Sequence, residues 1–313
     1  MNKDFNYNKS YLKMLFKHIK EKPYVIEKKS KKVIKKKLIK KKIITKKKRV
    51  QGAWDIYQRM HLEHNQTALG AKFMHQHTKA LKKAHKRYGV PPEYITAIIG
   101  IESYYGKNRG RYYVFDALTH LAFGKGERKK FYQYELQEFL RMCYREQVEP
   151  RRVKGSSSGA IGLAQFMPSN YRHYAVDFNN DKKIRISQAT DAIGSIANYF
   201  KENGWEKEMP VATRVRYEGN RFNDFKTGYK EKYPRKKLIG IKPRRYFPYK
   251  KEVRLIKLER EKYDELWYGT DNFYVITRYN HSAYYAMAVH QLAQKIKKAY
   301  KSKYNHLKNK KLY

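Results

Sequence analysis

The chain has 313 residues, a formal net charge of +44 and 41% hydrophobic residues. That leaves room for one large or two modest domains with a real core, and it excludes a wholly disordered polyelectrolyte. The single cysteine, Cys143, excludes an internal disulfide, and no stretch has the apolar length of a membrane-spanning helix.

Residues 1–50 carry +17 and the remainder +27, so the excess is not confined to one tail. Such a field draws the chain to polyanions: nucleic acid, anionic lipid headgroups or acidic wall polymers. The first twenty residues hold only short apolar pieces broken by lysines, and no ordinary signal peptide is recognisable. From Val33 to Ile44, apolar pairs recur every five residues between lysine triplets. That spacing fits neither a helix nor a strand, so residues 1–50 read as a basic, poorly ordered arm.

A helical pattern runs from Trp54 to Tyr88. The next helix, at about 92–105, is the most informative. Pro91 and Pro92 suit its first turn and Gly106 its end. Ile95, Ile98, Ile99 and Glu102 fall on one face. A carboxyl following Ile98-Ile99-Gly100-Ile101 is desolvated, which raises its pKa and suits it to general acid work. The alternative is a helix-end glutamate that reaches water or caps a loop.

A helix at 131–147 carries Cys143 as buried filler rather than nucleophile. Gly155-Ser156-Ser157-Ser158-Gly159-Ala160 is a polar turn without a phosphate-loop signature. His61-Leu62-Glu63-His64 lacks the zinc-protease spacing, and His75 and His77 diverge on a helix, so no metal role is assigned to them. Asp177-Phe178-Asn179-Asn180-Asp181-Lys182-Lys183-Ile184 opens like an EF-hand calcium loop. Lys182 stands where the turn glycine belongs, and Gln188 where a bidentate glutamate belongs. Asp191 could replace that ligand in a longer loop. The other reading is a solvated Asx-rich turn. Residues 189–203 form a further helix, 211–268 read as short strands, and helix returns after Ser282.

Together the motifs resemble the lytic murein transglycosylase B family (glycoside hydrolase family 103). They are Tyr88-Gly89-Val90-Pro91-Pro92-Glu93, Ile98-Ile99-Gly100-Ile101-Glu102, Gln165-Phe166-Met167-Pro168-Ser169, Tyr174-Ala175-Val176-Asp177-Phe178 and Asn272-Phe273-Tyr274-Val275-Ile276-Thr277-Arg278-Tyr279-Asn280-His281-Ser282. They run in family order from about residue 52 to 295.

The resemblance implies a mainly α (α+β) chain with a lysozyme-like helical core. The arm would span 1–50, the helical core 51–210, a small strand-rich insertion 211–268 and a closing helical segment 269–313. It implies a lyase that cleaves the MurNAc–GlcNAc β-1,4 bond of peptidoglycan and leaves 1,6-anhydro ends. Glu102 would be the lone acid/base, with Ser156, Gln165, Tyr199, Tyr279 and Asn280 binding the glycan. Asp177, Asn179, Asp181, the carbonyl of Lys183 and Asp191 would hold a structural calcium ion, with no cofactor for the chemistry. The expected partners are glycan strands, and an anionic membrane or wall surface through the arm, in the periplasm or cell envelope. No nucleic acid is expected. The competing classes are a nucleic-acid-binding protein, suggested by charge alone, and a wall-binding protein without catalysis.

Overall fold

A computed structural model describes residues 8–17, 51–62, 64–219 and 221–304. The five-residue repeat and most of the basic arm lie outside the described residues, as do the side chains of His61, Glu63 and His64. In chain order the elements are α1 (Lys9–Lys17), α2 (Ala53–His61), α3 (His64–Gln76), α4 (Thr78–Tyr88), α5 (Pro92–Ser103), β1 (Tyr112–Tyr113), α6 (Val114–Phe123), α7 (Lys129–Glu146), β2 (Lys154–Gly155), α8 (Pro168–Tyr174), α9 (Ala189–Glu202), β3 (Ala212–Tyr217), β4 (Ile241–Pro243), β5 (Arg254–Glu259), β6 (Asp264–Gly269), α10 (Asp271–Tyr279) and α11 (Ala283–Tyr304). Helix dominates and the strands are short and antiparallel. The chain divides into two compact units.

The first unit comprises residues 8–17 and Arg109–His173. Its centre is the pair α6 and α7. Leu136, Phe139, Leu140 and Cys143 recur at helical spacing and are all buried. β1 pairs with β2, setting Tyr112 opposite Gly155. Two buried glutamates on α7 are satisfied. Glu135 accepts hydrogen bonds from the Ser169 backbone N–H at 2.9 Å and its hydroxyl at 2.7 Å. Glu138 pairs with Arg141 at 2.9 Å and Arg172 at 3.0 Å.

α1 corrects the expectation of poor order across 1–50. Leu12, Leu15 and Phe16 fall on one side of a helix. Leu15 is buried, and the Phe16 ring meets Phe115 edge-on with centroids 5.3 Å apart. The Arg151 guanidinium donates to the Leu15 carbonyl. An apolar face hidden among lysines thus finds a partner distant in sequence.

The second unit comprises the described residues of Arg49–Asn108 and Tyr174–Tyr313. Its helical part packs α3, α4, α9 and α11 around α5. That is why α5 is apolar all round: every residue from Glu93 to Gly100 is buried. Its sheet has the order β4-β3-β6-β5. β3 and β6 pair through Thr213 opposite Tyr268, and β5 and β6 through Leu255 opposite Tyr268. Val215, Ile241, Val253, Leu255, Leu266 and Tyr268 build a separate small core there. The continuous helical pattern of 54–88 resolves into three helices, and α6, α8 and α10 are additional to those expected from periodicity.

Candidate active site

The end of α5 is shaped by its sequence. Pro92 occupies the first turn, where its missing N–H costs nothing. At the other end Tyr104 and Tyr105 both take left-handed backbone, with φ of 50° and 58°. Their N–H groups return to the carbonyls of Gly100 at 3.0 Å and Ile99 at 3.3 Å. Tyr105 folds back over the helix and donates from Oη to the Gln66 carbonyl at 2.7 Å. It passes so close that a Cβ on Gly100 would lie 2.6 Å from the Tyr105 hydroxyl, and one on Gly70 the same distance. Glu102 sits in the last turn, held in place by this clasp.

Burial on α5 gives way at Ile101 and Glu102, which are half-buried. The apolar-face argument therefore needs amendment. The whole helix is apolar, and Glu102 is distinguished by standing where the helix emerges from the core. Tyr285, on the first turn of α11, donates from Oη to Glu102 Oε1 at 2.5 Å. Among the described residues it is the hydrogen-bond partner of that carboxyl.

Desolvation pushes the Glu102 carboxyl up to about 7, against a smaller opposing effect of the Tyr285 hydrogen bond. A neighbouring carboxylate is not among the causes. The Tyr285 ring stacks on Tyr279 with centroids 6.4 Å apart. Tyr279 meets Tyr199 edge-on at 4.9 Å, and Tyr199 meets Tyr174 at 4.7 Å. Burial, and then the nearby Glu102, push the hydroxyls of Tyr279 and Tyr285 well above the usual phenol range. The same two causes take Tyr57 to about 12. These phenols stay neutral at any working pH. They can donate hydrogen bonds around Glu102 but cannot relieve it of its proton.

Of the expected site residues, Glu102, Tyr199 and Tyr279 come together in this aromatic row. Asn280 follows Tyr279 at the end of α10 with an exposed side chain. Ser156 and Gln165 belong to the first unit. Ser156 Oγ accepts from the backbone N–H groups of Ala160 at 2.9 Å and Ser158 at 3.2 Å. Its oxygen holds the turn closed, and its hydrogen is what it can offer. Gln165, at a left-handed φ of 46°, donates from Nε2 to the Gly162 carbonyl at 2.8 Å and the Arg109 carbonyl at 3.3 Å. Its side-chain oxygen is the group left for a ligand.

Sequence reasoning missed Tyr285, Tyr57 and Tyr105. The one available signal was the abundance of tyrosine, 30 residues in all.

In the 177–191 loop, Asp177 accepts from the backbone N–H groups of Asp181 at 3.1 Å and Lys182 at 2.7 Å. Asp191 is fully buried and accepts from Phe178 N–H at 2.9 Å and Arg185 N–H at 2.8 Å. Asp181 accepts from Lys183 N–H at 2.9 Å, Asn179 Nδ2 at 3.1 Å and the Arg185 guanidinium. Among the described residues no three Asp, Glu, His or Cys side chains gather closely enough to share a metal ion. The expected calcium set is Asp177, Asn179, Asp181, the carbonyl of Lys183 and Asp191, and its three aspartates here accept from the loop's own N–H groups.

Comparison with known proteins agrees with this geometry. The Transglycosylase SLT domain family matches residues 2–294. The match takes in residues 2–50, which the motif reading leaves outside the resemblance. Membrane-bound lytic murein transglycosylase B of Escherichia coli (strain K12) is 41% identical over 247 residues, 78% of this chain and 68% of that protein. The soluble lytic transglycosylase SltB1 from Pseudomonas aeruginosa superposes with a TM-score of 0.82 at 36% identity, covering 96% of each chain. The Escherichia coli lytic transglycosylase Slt35 in complex with calcium superposes with a TM-score of 0.77 at 41% identity, covering 80% of each chain. With its helical lysozyme-like fold and a half-buried carboxyl among tyrosines, the chain belongs to the lytic murein transglycosylase B family and is a peptidoglycan-cleaving lytic transglycosylase.

Proposed function

We propose that Glu102 alone performs both proton transfers of the reaction. The observation that carries this is a single carboxyl raised by burial to about 7 and held by one phenol. Most glycosidases divide the work between two carboxylates, one giving a proton and the other attacking or activating water. One carboxyl suffices when the sugar brings its own nucleophile. Protonated Glu102 donates to the oxygen joining N-acetylmuramic acid to N-acetylglucosamine, and that C–O bond breaks. Positive charge develops at the muramic anomeric carbon. The carboxylate so formed takes the proton of the C6 hydroxyl, whose oxygen closes a 1,6-anhydro ring. Glu102 is returned protonated and no water is consumed.

Positioning is then the main task. Tyr199 and Tyr279 offer ring surface for sugar faces, Ser156 its hydroxyl hydrogen, Gln165 its free carbonyl oxygen and Asn280 its exposed amide. Tyr285 keeps Glu102 aimed while remaining too weak an acid to compete with it. No cofactor enters these steps. The enzyme works in the cell envelope, where its polymer lies. The positive excess holds it to anionic wall or membrane surfaces, and nucleic acid has no role in this reading.

The test is digestion of purified peptidoglycan followed by mass analysis of the muropeptides. Products should carry anhydro ends and no solvent oxygen-18. Reducing ends labelled with oxygen-18 would show hydrolysis and overturn the one-carboxyl scheme. Glu102→Gln should bind the glycan and release nothing, because Gln keeps the shape but cannot shuttle a proton.

A further inference from the structure

We propose that the strand-rich insertion docks on an anionic membrane surface through basic hollows beside β4. This rests on the cell-envelope reading above and goes beyond it by assigning the contact to one face of one unit. Residues 235–251 hold eight basic residues and no acidic one. The face begins where β3 pairs with β4. Val215 and Ile241 point into the small core, so their neighbours Arg216 and Lys242 turn outward. Those two lie directly opposite each other in the register, and like charges so placed are destabilising. Among the described residues neither has an ion-pair partner. An anion lying over the pair would relieve the repulsion.

Two adjoining hollows open there. The first, of about 690 Å³, is lined by Arg216, Arg235, Lys236, Lys242 and Lys250, with Glu218 as its acid. The second, of about 540 Å³, shares Arg235, Pro243 and Lys250 with it and adds Arg244 and Arg245. The segment carrying these cations is anchored. Phe247 and Tyr249 are buried in the small core. The Arg235 guanidinium donates to the Tyr249 carbonyl at 3.0 Å and the Phe247 carbonyl at 3.4 Å. The Arg244 backbone N–H donates to the Arg214 carbonyl at 3.0 Å. The side chains of Arg244 and Arg245 are thus presented to solvent from a fixed base.

The rim favours lipid over a hydrophilic polymer. Ile239 borders the first hollow and is 68% exposed, and Tyr246 borders the second and is 91% exposed. Against a polymer of sugars or phosphates Ile239 would stay in water. A headgroup layer accepts tyrosine at its boundary and takes apolar tips just beneath. Its phosphodiester groups would meet the cations of the hollows, and each Lys or Arg near an anionic leaflet strengthens the attraction.

Cosedimentation of the whole chain with vesicles of phosphatidylglycerol and phosphatidylcholine, and with purified peptidoglycan, tests this. Arg244→Gln with Arg245→Gln should lower vesicle binding by about 30-fold, at about fivefold for each basic residue brought to an anionic leaflet. Peptidoglycan binding should stay near the parent's. Lys82→Gln with Lys86→Gln removes the same charge from exposed positions on α4 and should leave vesicle binding almost unchanged. Ile239→Ser with Tyr246→Ser should weaken vesicle binding by the same factor at low and high salt, since the loss is apolar and unscreened. All of these side chains are exposed, so the variants should melt with the parent. An equal loss from the α4 pair would show a general field and overturn the assignment to this face. So would an arginine pair that loses peptidoglycan instead of vesicles. Muropeptide release from the same preparations keeps the two claims apart. A parent that releases anhydro-muropeptides yet ignores the anionic vesicles would sink the docking proposal and leave the enzymatic reading intact.

Discussion

Glu102 ties activity and stability to one protonation. It must be protonated to donate, so kcat/KM should fall as pH rises above about 7. The Tyr285 hydrogen bond favours the ionised form and lowers the Glu102 pKa. Tyr285→Phe should therefore move that alkaline limb upward, and a limb that stays put would remove Tyr285 from the proton's environment. The same carboxyl costs stability. It holds its proton to about 7 when folded, against an ordinary value of 4.5. The folded state thus binds the extra proton between those values, and stability falls as pH rises through that window. Above it the penalty is on the order of 3 kcal/mol. Glu102→Gln carries no such penalty. Thermal melts should find it more stable than the parent at about pH 8, with the two converging below 4.5.

At the scale of elements, α5 depends on the clasp at its end. A methyl on Gly100 would lie 2.6 Å from the Tyr105 hydroxyl and 2.7 Å from its ring carbon. Gly100→Ala should cost about 1–3 kcal/mol, as overpacking does, and should also reduce turnover by displacing Glu102. Calorimetry and turnover on the same samples check this, and a neutral variant would show that the clasp is loose. The sequence made α5, α7, α9 and α11 legible because each repeats its apolar residues over several turns. α6 and α10 are only ten and nine residues long, too short for an apolar period to repeat more than about twice. The breaks within 54–88 were hidden because polar and apolar residues continue the pattern through Leu62 and His77. Glu102 was legible because a charge in an isoleucine run is locally improbable. Tyr285 was not, because it approaches Glu102 across 183 residues and nothing local announces the contact. In the loop, the motif spacing was plain, but whether Arg185 faces Asp181 or solvent is a matter of folded geometry.

Across the molecule, the charge of +44 predicts that sedimentation with peptidoglycan weakens as salt shortens the screening length, about 10 Å at 0.1 M. Salt-insensitive binding would mean that stacking and hydrogen bonds carry the affinity instead. The N-terminal residues are more than a source of charge. Leu15 is buried in the first unit, so Leu15→Ala should cost about 2–5 kcal/mol, read as a drop in melting temperature. An unchanged melt would return α1 to the status of a tether.

Both units are assembled from separated stretches of chain. This bears on how the protein is made. During synthesis at roughly 5–20 residues per second, α5 leaves the ribosome roughly 10–40 s before Tyr285 follows it. Throughout that interval Glu102 lacks its phenol and α5 lacks α11, against which it packs. A nascent or interrupted chain therefore carries the reactive carboxyl but no enzyme, and the capacity to cut the wall arrives only when translation is nearly done.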